Sequence, residues 1–123
     1  MQKMRERRSG MITISLCMIV KNEERILKRC LDSVRDLVDE IIIVDTGSTD
    51  ATKWIAAGYT DKIYDFTWND DFSAARNFAF SKATKEYIYS ADADEVLSEE
   101  NRRRFRLLKA VSYTHLRAHE TDQ

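Results

Sequence analysis

The stretch EIIIVDTGSTD, residues 40–50, places four β-branched residues in a row, Ile41, Ile42, Ile43 and Val44, directly before Asp45. Branched side chains suit extended backbone, and no polar residue alternates with them. A strand of this kind is covered on both faces, as strands of parallel sheets are. Beyond Asp45, the residues Thr46-Gly47-Ser48-Thr49 read as a turn, with Gly47 supplying a positive φ and the hydroxyls placed to cap a short helix over 51–57.

The same grammar extends in both directions. Upstream, MITISLCMIV at 11–20 is a second apolar, β-branched run and predicts a first strand covered on both sides. Asn22 is positioned to cap the helix that follows, in which Ile26, Leu27, Cys30, Leu31 and Val34 recur at three- and four-residue spacing and form one buried stripe. Downstream, KIYDF at 62–66 predicts a third strand. A helix over 72–83 turns Phe72, Ala75, Ala79 and Phe80 inward, with Trp68 and Phe72 expected as core and capping residues beside Asn69-Asp70-Asp71. A fourth strand covers 86–91, and Ser98 caps a last helix over 99–109. Strict alternation of strand and helix predicts an α/β fold: a mostly parallel sheet with right-handed crossovers and helices on both faces.

The totals fit one globular domain or part of a larger one. The chain has 123 residues, 43% hydrophobic and 33% charged, with a net charge of −1. That balance gives no global field for nucleic acid or a membrane surface. No apolar run reaches the ~20 residues of a membrane span, and the N-terminus lacks the apolar core of a signal peptide. Basic runs at 3–8 and 102–106 read as solvated faces. Cys17 and Cys30 fall on separate elements and read as two buried thiols rather than a disulfide, which with the rest points to the cytoplasm. Residues 1–10 lack periodicity and are expected to be a non-native or disordered extension. Residues 111–123, VSYTHLRAHETDQ, are expected to be an artefactual or disordered tail, and His115 and His119 receive no role despite their spacing.

Chemistry should collect where the strands end, because open parallel sheets bind ligands beyond the carboxyl ends of their strands. The first strand delivers Asn22 and Glu23 there, the second Asp45, and the fourth Asp92, Asp94 and Glu95, in YIYSADADEVL. Acids crowded on one rim repel: two carboxylates ~5 Å apart at an effective dielectric of 20 cost ~3 kcal/mol. A divalent cation among them removes that cost. Oxygen ligands without Cys or His favour Mg²⁺ or Mn²⁺ over zinc, and such a cation holds phosphate oxygens. Each of these residues also has an ordinary reading, as a turn acid, a helix cap or a first-turn glutamate. Arg76, on the apolar helix segment SAARNFAF, needs an anionic partner, which is either a structural carboxylate or a ligand phosphate.

Taken together, SLCMIVKNEE, EIIIVDTGSTDAT and DFSAARNFAFSKATKEYIYSADADEVL, in that order and spacing, resemble the N-terminal half of family-2 glycosyltransferases of the GT-A fold, a Rossmann-like nucleotide-diphospho-sugar transferase architecture. The likeness covers residues 11–109 and is nearest to the bacterial subgroup whose members often carry helical repeats after the catalytic domain. It implies that Asn22 and Glu23 line the nucleotide pocket and that Asp45 reads the nucleobase, typically uracil. It implies that Arg76 approaches the nucleotide or its pyrophosphate. Asp92 and Asp94 match the family's Asp-x-Asp motif, with Asp92 facing ribose or sugar and Asp94 binding the metal that bridges the diphosphate. The implied reaction is inverting transfer from a UDP-type donor to a glycan, lipid-linked or peptide acceptor. Thr46 departs from the family, where many relatives carry a second acid. The family's general base and acceptor pocket lie after the Asp-x-Asp motif, so the chain is expected to be a truncated, inactive donor-binding fragment, and Glu95 is not given the base's role.

Two rivals share some of these residues. A phosphatase of the haloacid dehalogenase type places Asp-x-Asp after an apolar strand, but at the opening of its domain. A dinucleotide-binding oxidoreductase needs a Gly-rich turn after the first strand, and Lys21-Asn22-Glu23 has none. A non-catalytic nucleotide-binding remnant is the third alternative.

Overall fold

A computed structural model describes residues 11–110, so the expectations for 1–10 and 111–123 lie outside the described residues. Four strands and four helices alternate. They are β1 (Ile14–Val20), α1 (Leu27–Val34), β2 (Glu40–Asp45), α2 (Thr52–Ala56), β3 (Ile63–Asp65), α3 (Phe72–Lys82), β4 (Tyr87–Ser90) and α4 (Glu99–Ala110). All strand pairs are parallel, and the order across the sheet is β3-β2-β1-β4. The chain therefore builds outward from β1 to β3 and then returns to the other side of β1. This reversal puts the switch point of the sheet between β1 and β4.

Alternate residues of the two central strands feed two apolar layers. Leu16, Met18 and Val20 of β1, with Ile41 and Ile43 of β2, pack against Leu27, Cys30, Leu31 and Val34 of α1 and Ala56 of α2. Cys17, Ile42 and Val44 face the opposite way and meet Ala79 of α3, flanked by Phe78 and Phe80. Burying each large aliphatic side chain contributes about 1.5–3 kcal/mol, and both faces of β1 and β2 do so. The uninterrupted apolar runs in the sequence have this cause. Helix α4 joins the α1 layer through an edge-to-face contact of Phe105 with Tyr89, centroids 5.3 Å apart. Arg102 anchors it as well, gripping Asp36 with both amino groups (2.7 and 2.9 Å) and donating to the Ser33 carbonyl.

Several local expectations change. Asn22 does not cap α1. It adopts a left-handed φ of 54°, and its Oδ1 accepts from the Thr49 amide at 2.8 Å, in the loop after β2. Helix α1 starts later, at Leu27, without a side-chain cap. The Ser48 hydroxyl likewise reaches across to the Asn22 amide and does not cap α2. Gly47 does take a positive φ, 123°, and Ser98 does cap α4, its Oγ accepting from the Asn101 amide. Phe72 and Trp68 are not core: they are 50% and 41% exposed, because the first turn of α3 and the loop before it stand at the rim of the sheet. Strand β4 is a half-buried edge rather than a covered strand, pairing only with β1 among the described residues and leaving Ile88 exposed. Arg102, read as part of a solvated face, is a docking residue.

A buried carboxylate ties the amino-terminal end of the sheet together. Glu40 accepts from the Ser15 hydroxyl, the Thr84 amide and hydroxyl, and the Lys62 ammonium. Burial alone would raise its pKa. The hydrogen bonds from Lys62, Ser15 and Thr84 outweigh burial and hold it down at about 2.

Candidate functional site

The carboxyl ends of the strands carry two adjoining clefts that share Thr46 and Trp68. One, of about 290 Å³, is bounded by Asp45, Thr46, Gly47, Asp65, Phe66 and Trp68. The other, of about 250 Å³, runs over the end of β1 past Lys21, Glu23 and Phe72. A separate cleft of about 370 Å³ lies among Arg35, Glu40 and Lys62, where Glu40 starts β2 at the opposite end of the sheet.

Asp45 closes β2 and is only 2% exposed. Its Oδ1 accepts from the Gly47 and Ser48 amides at 2.9 and 2.7 Å, an arrangement that the positive φ of Gly47 permits. Its Oδ2 is buried and has no hydrogen-bond partner. A buried, unsatisfied carboxylate oxygen is costly, by roughly 1–3 kcal/mol or more for a charged group. An ordered water, an ion or a ligand donor would satisfy it.

The loops after β1 and β2 are stitched residue by residue. Besides the Asn22–Thr49 and Asn22–Ser48 bonds, the Glu23 amide donates to the Thr52 hydroxyl at 2.8 Å, and Glu24 accepts from the Ala51 amide at 3.0 Å. The Asn22 side chain is therefore committed to the fold. Glu23 keeps its carboxylate free, and its pKa is raised by burial and then by the nearby charges of Asp94, Asp50 and Asp92.

Asp92 and Asp94 follow β4 and are both exposed, while Ala91 before them and Ala93 between them are buried in the α1 layer. Neither aspartate is ion-paired among the described residues. The turn that presents them is closed by Glu95, whose carboxylate accepts from the Asp92 amide at 2.9 Å while its own amide donates to the Asp92 carbonyl at 3.0 Å. Helix α1 holds both ends of this segment. The Cys30 thiol contacts the Asp92 carbonyl, and Ser33 Oγ accepts from the Leu97 amide. The same surroundings, burial first and then Glu95, Asp94 and Asp92, push the Cys30 thiol up to about 11.

The sequence-predicted acids thus divide. Glu23, Asp92 and Asp94 share one neighbourhood, and Asp45 sits in the other cleft. Among the described residues no group of three or more acid, Cys or His side chains is placed to hold a metal ion, which corrects the expectation of a three-acid cation site. Two unpaired, hard carboxylates at Asp92 and Asp94 still fit Mg²⁺ or Mn²⁺, which take few protein ligands and complete their shell with water and phosphate oxygens. Arg76, half-buried on α3, has no carboxylate partner among the described residues. Its guanidinium lies 5.6 Å from the Phe72 ring and 3.4 Å from the Ser73 hydroxyl. Sequence reasoning read Trp68 as a core or capping residue, and the structure places it on the lining of both clefts.

The sequence model of glycosyl transferase family 2 matches residues 15–105. The chain belongs to this family. It is 52% identical over 89 residues to a TPR repeat-containing protein of Synechococcus elongatus and 45% identical over 92 residues to the SPbeta prophage-derived glycosyltransferase SunS of Bacillus subtilis. These matches cover 72% and 73% of this chain but only 22% of each relative, so the chain spans about a fifth of their length. Among solved structures, Staphylococcus aureus TarS 1-349 in complex with UDP superposes with a TM-score of 0.65 at 23% identity, over 78% of this chain and 31% of that one. Glucosyl-3-phosphoglycerate synthase of Mycobacterium tuberculosis, in complex with Mn²⁺ and UDP-glucose, gives 0.61 at 23%, over 77% and 37%. The family-2 domain has the GT-A, Rossmann-like fold of these neighbours, with its parallel sheet and flanking helices. The phosphatase reading of Asp92 and Asp94 has no support in these matches. No helix among the described residues is long and apolar enough to cross a membrane.

Proposed function

We propose that this chain supplies the donor-binding half of an inverting glycosyltransferase that uses a UDP-linked sugar, the nucleobase being read by Asp45. The observation that carries the reading is the unpartnered Oδ2 of Asp45, a residue that lines a cleft at the carboxyl end of the sheet. An imide N–H of uracil is the donor it lacks, and a base with no N–H at that edge leaves it unsatisfied. Family membership and the UDP or UDP-glucose bound by the two solved neighbours support the same choice. Asp94, with Asp92, holds Mg²⁺ or Mn²⁺, and Asp92 faces the ribose or sugar. When bound, the cation neutralises the diphosphate oxygens and stabilises the leaving group. Glu23 borders the sugar-diphosphate side, Asn22 fixes the loop behind it, and Arg76 approaches the diphosphate.

The acceptor is a hydroxyl or other nucleophile on a glycan, lipid-linked glycan or peptide, and the general base is not assigned to any described residue. Residues 11–110 are the donor-binding unit, with 1–10 and 111–123 outside it. Two free, buried thiols favour a reducing, cytoplasmic setting. The test is thermal unfolding of the full chain with and without UDP and Mn²⁺. A ligand at a hundred times its Kd stabilises by about 2.7 kcal/mol, which raises Tm by several degrees. Asp45→Ala is expected to abolish the rise. Absence of a rise in the folded wild-type chain would count against the donor-binding reading.

A further inference from the structure

The indole of Trp68 stands between the two clefts and lines both. It is 41% exposed. The ring is fixed by its own loop. Its Nε1 donates to Asp70 Oδ1 at 3.0 Å, and Asp70 itself takes a left-handed φ of 65°. Asn69 Oδ1 accepts from the Asp71 amide, and Asp71 caps α3 by accepting from the Ala74 amide at 3.1 Å. Three consecutive polar side chains therefore hold the loop in one shape while leaving the ring uncovered. This arrangement has no evident benefit for stability, since it exposes an apolar surface that the fold could have buried.

Asp45, whose Oδ2 lacks a partner, lines the same cleft as this ring. A ligand that offers an N–H to Asp45 from this cleft, of about 290 Å³, lies beside Trp68. The geometry points to Trp68 as the stacking platform for a flat heteroaromatic base. Asp45 selects the base's edge and Trp68 holds its face. This deepens the donor-binding reading and rests on it. A pre-fixed ring loses little freedom on binding, so stacking on it contributes to affinity with small ordering cost.

The chain has two tryptophans, and Trp54, on α2 and 80% exposed, lines neither cleft. Trp54→Phe leaves Trp68 as the only tryptophan, and UDP is expected to quench its fluorescence. Trp68→Ala is expected to raise the Kd for UDP about tenfold, within the range of base–aromatic stacking, and to leave the Kd for inorganic pyrophosphate unchanged. Trp68→Phe retains most of the affinity. Both substitutions alter an exposed ring, and circular dichroism verifies that the fold is kept. If Trp68→Ala binds UDP as the wild type does while Asp45→Ala loses it, the platform is refuted and the nucleobase reading stands. If neither substitution changes UDP affinity, the nucleobase reading itself fails. An equal loss of UDP and pyrophosphate in Trp68→Ala would assign the residue to loop structure alone and overturn the proposal.

Discussion

Replacing Asp94 by alanine removes an exposed carboxylate that has no ion pair among the described residues. Its expected effect is on ligand binding alone: the Mn²⁺-dependent part of the UDP-induced rise in Tm disappears, and the Tm of the free chain changes by less than a degree or two. A rise that survives in Asp94→Ala, read by differential scanning fluorimetry, rejects its metal role. Glu95 gives a sharper contrast. Glutamine keeps an oxygen for the Asp92 amide and alanine does not. Glu95→Gln should therefore preserve Mn²⁺-assisted UDP binding, while Glu95→Ala weakens it several-fold in isothermal titration. The rim positions of Asp45, Asp92 and Asp94 were legible in the sequence because Asp45 closes β2 and the other two follow β4. The partnering of Asn22 with Thr49 was not, because a left-handed asparagine bonding to a loop 27 residues away leaves no local pattern. The exposure of Trp68 was equally hidden, since an aromatic beside turn residues reads as core until the sheet's rim is drawn.

At the scale of elements, α1 is the piece on which the Asp-x-Asp segment is mounted. Its Leu31 is fully buried between the sheet and that segment's layer. Leu31→Ala should lower stability by about 2–5 kcal/mol, measured by urea denaturation, by loss of burial and creation of a cavity. A cost under about 1 kcal/mol would mean that α1 packs far less tightly than its fully buried stripe indicates. The elements themselves were readable from sequence. Unbroken β-branched runs gave β1 and β2 their burial on both faces, and the three- and four-residue spacing in α1 gave its stripe. The character of β4 was harder to read. YIYS alternates half-buried and exposed positions only because β4 is an edge, and edge status follows from strand order, which no local stretch encodes.

For the whole molecule, Glu40 binds together β1, β2, the start of β3 and the turn before β4. Its folded pKa of about 2 lies below the unfolded value of 4.5, so its contribution is fully present above pH 4.5 and is lost as pH falls toward 2. The shift corresponds to about 3 kcal/mol. Equilibrium unfolding between pH 7 and pH 2.5 should show a steep acid limb that Glu40→Gln flattens. An unchanged limb in that variant would assign acid sensitivity to other carboxylates. The strand order has a further, temporal meaning. Ile14 and Ser15 meet Asp39 and Glu40 25 positions along the chain, but Thr13 meets Glu86, just before β4, 73 positions along. Closing that longer loop costs more entropy and waits on the rest. On a ribosome, the strand that ends in Asp45 leaves the exit tunnel well before Asp92 and Asp94 do. In the proposed reading, the side of the site that would take the base emerges first and the side that would hold the cation last.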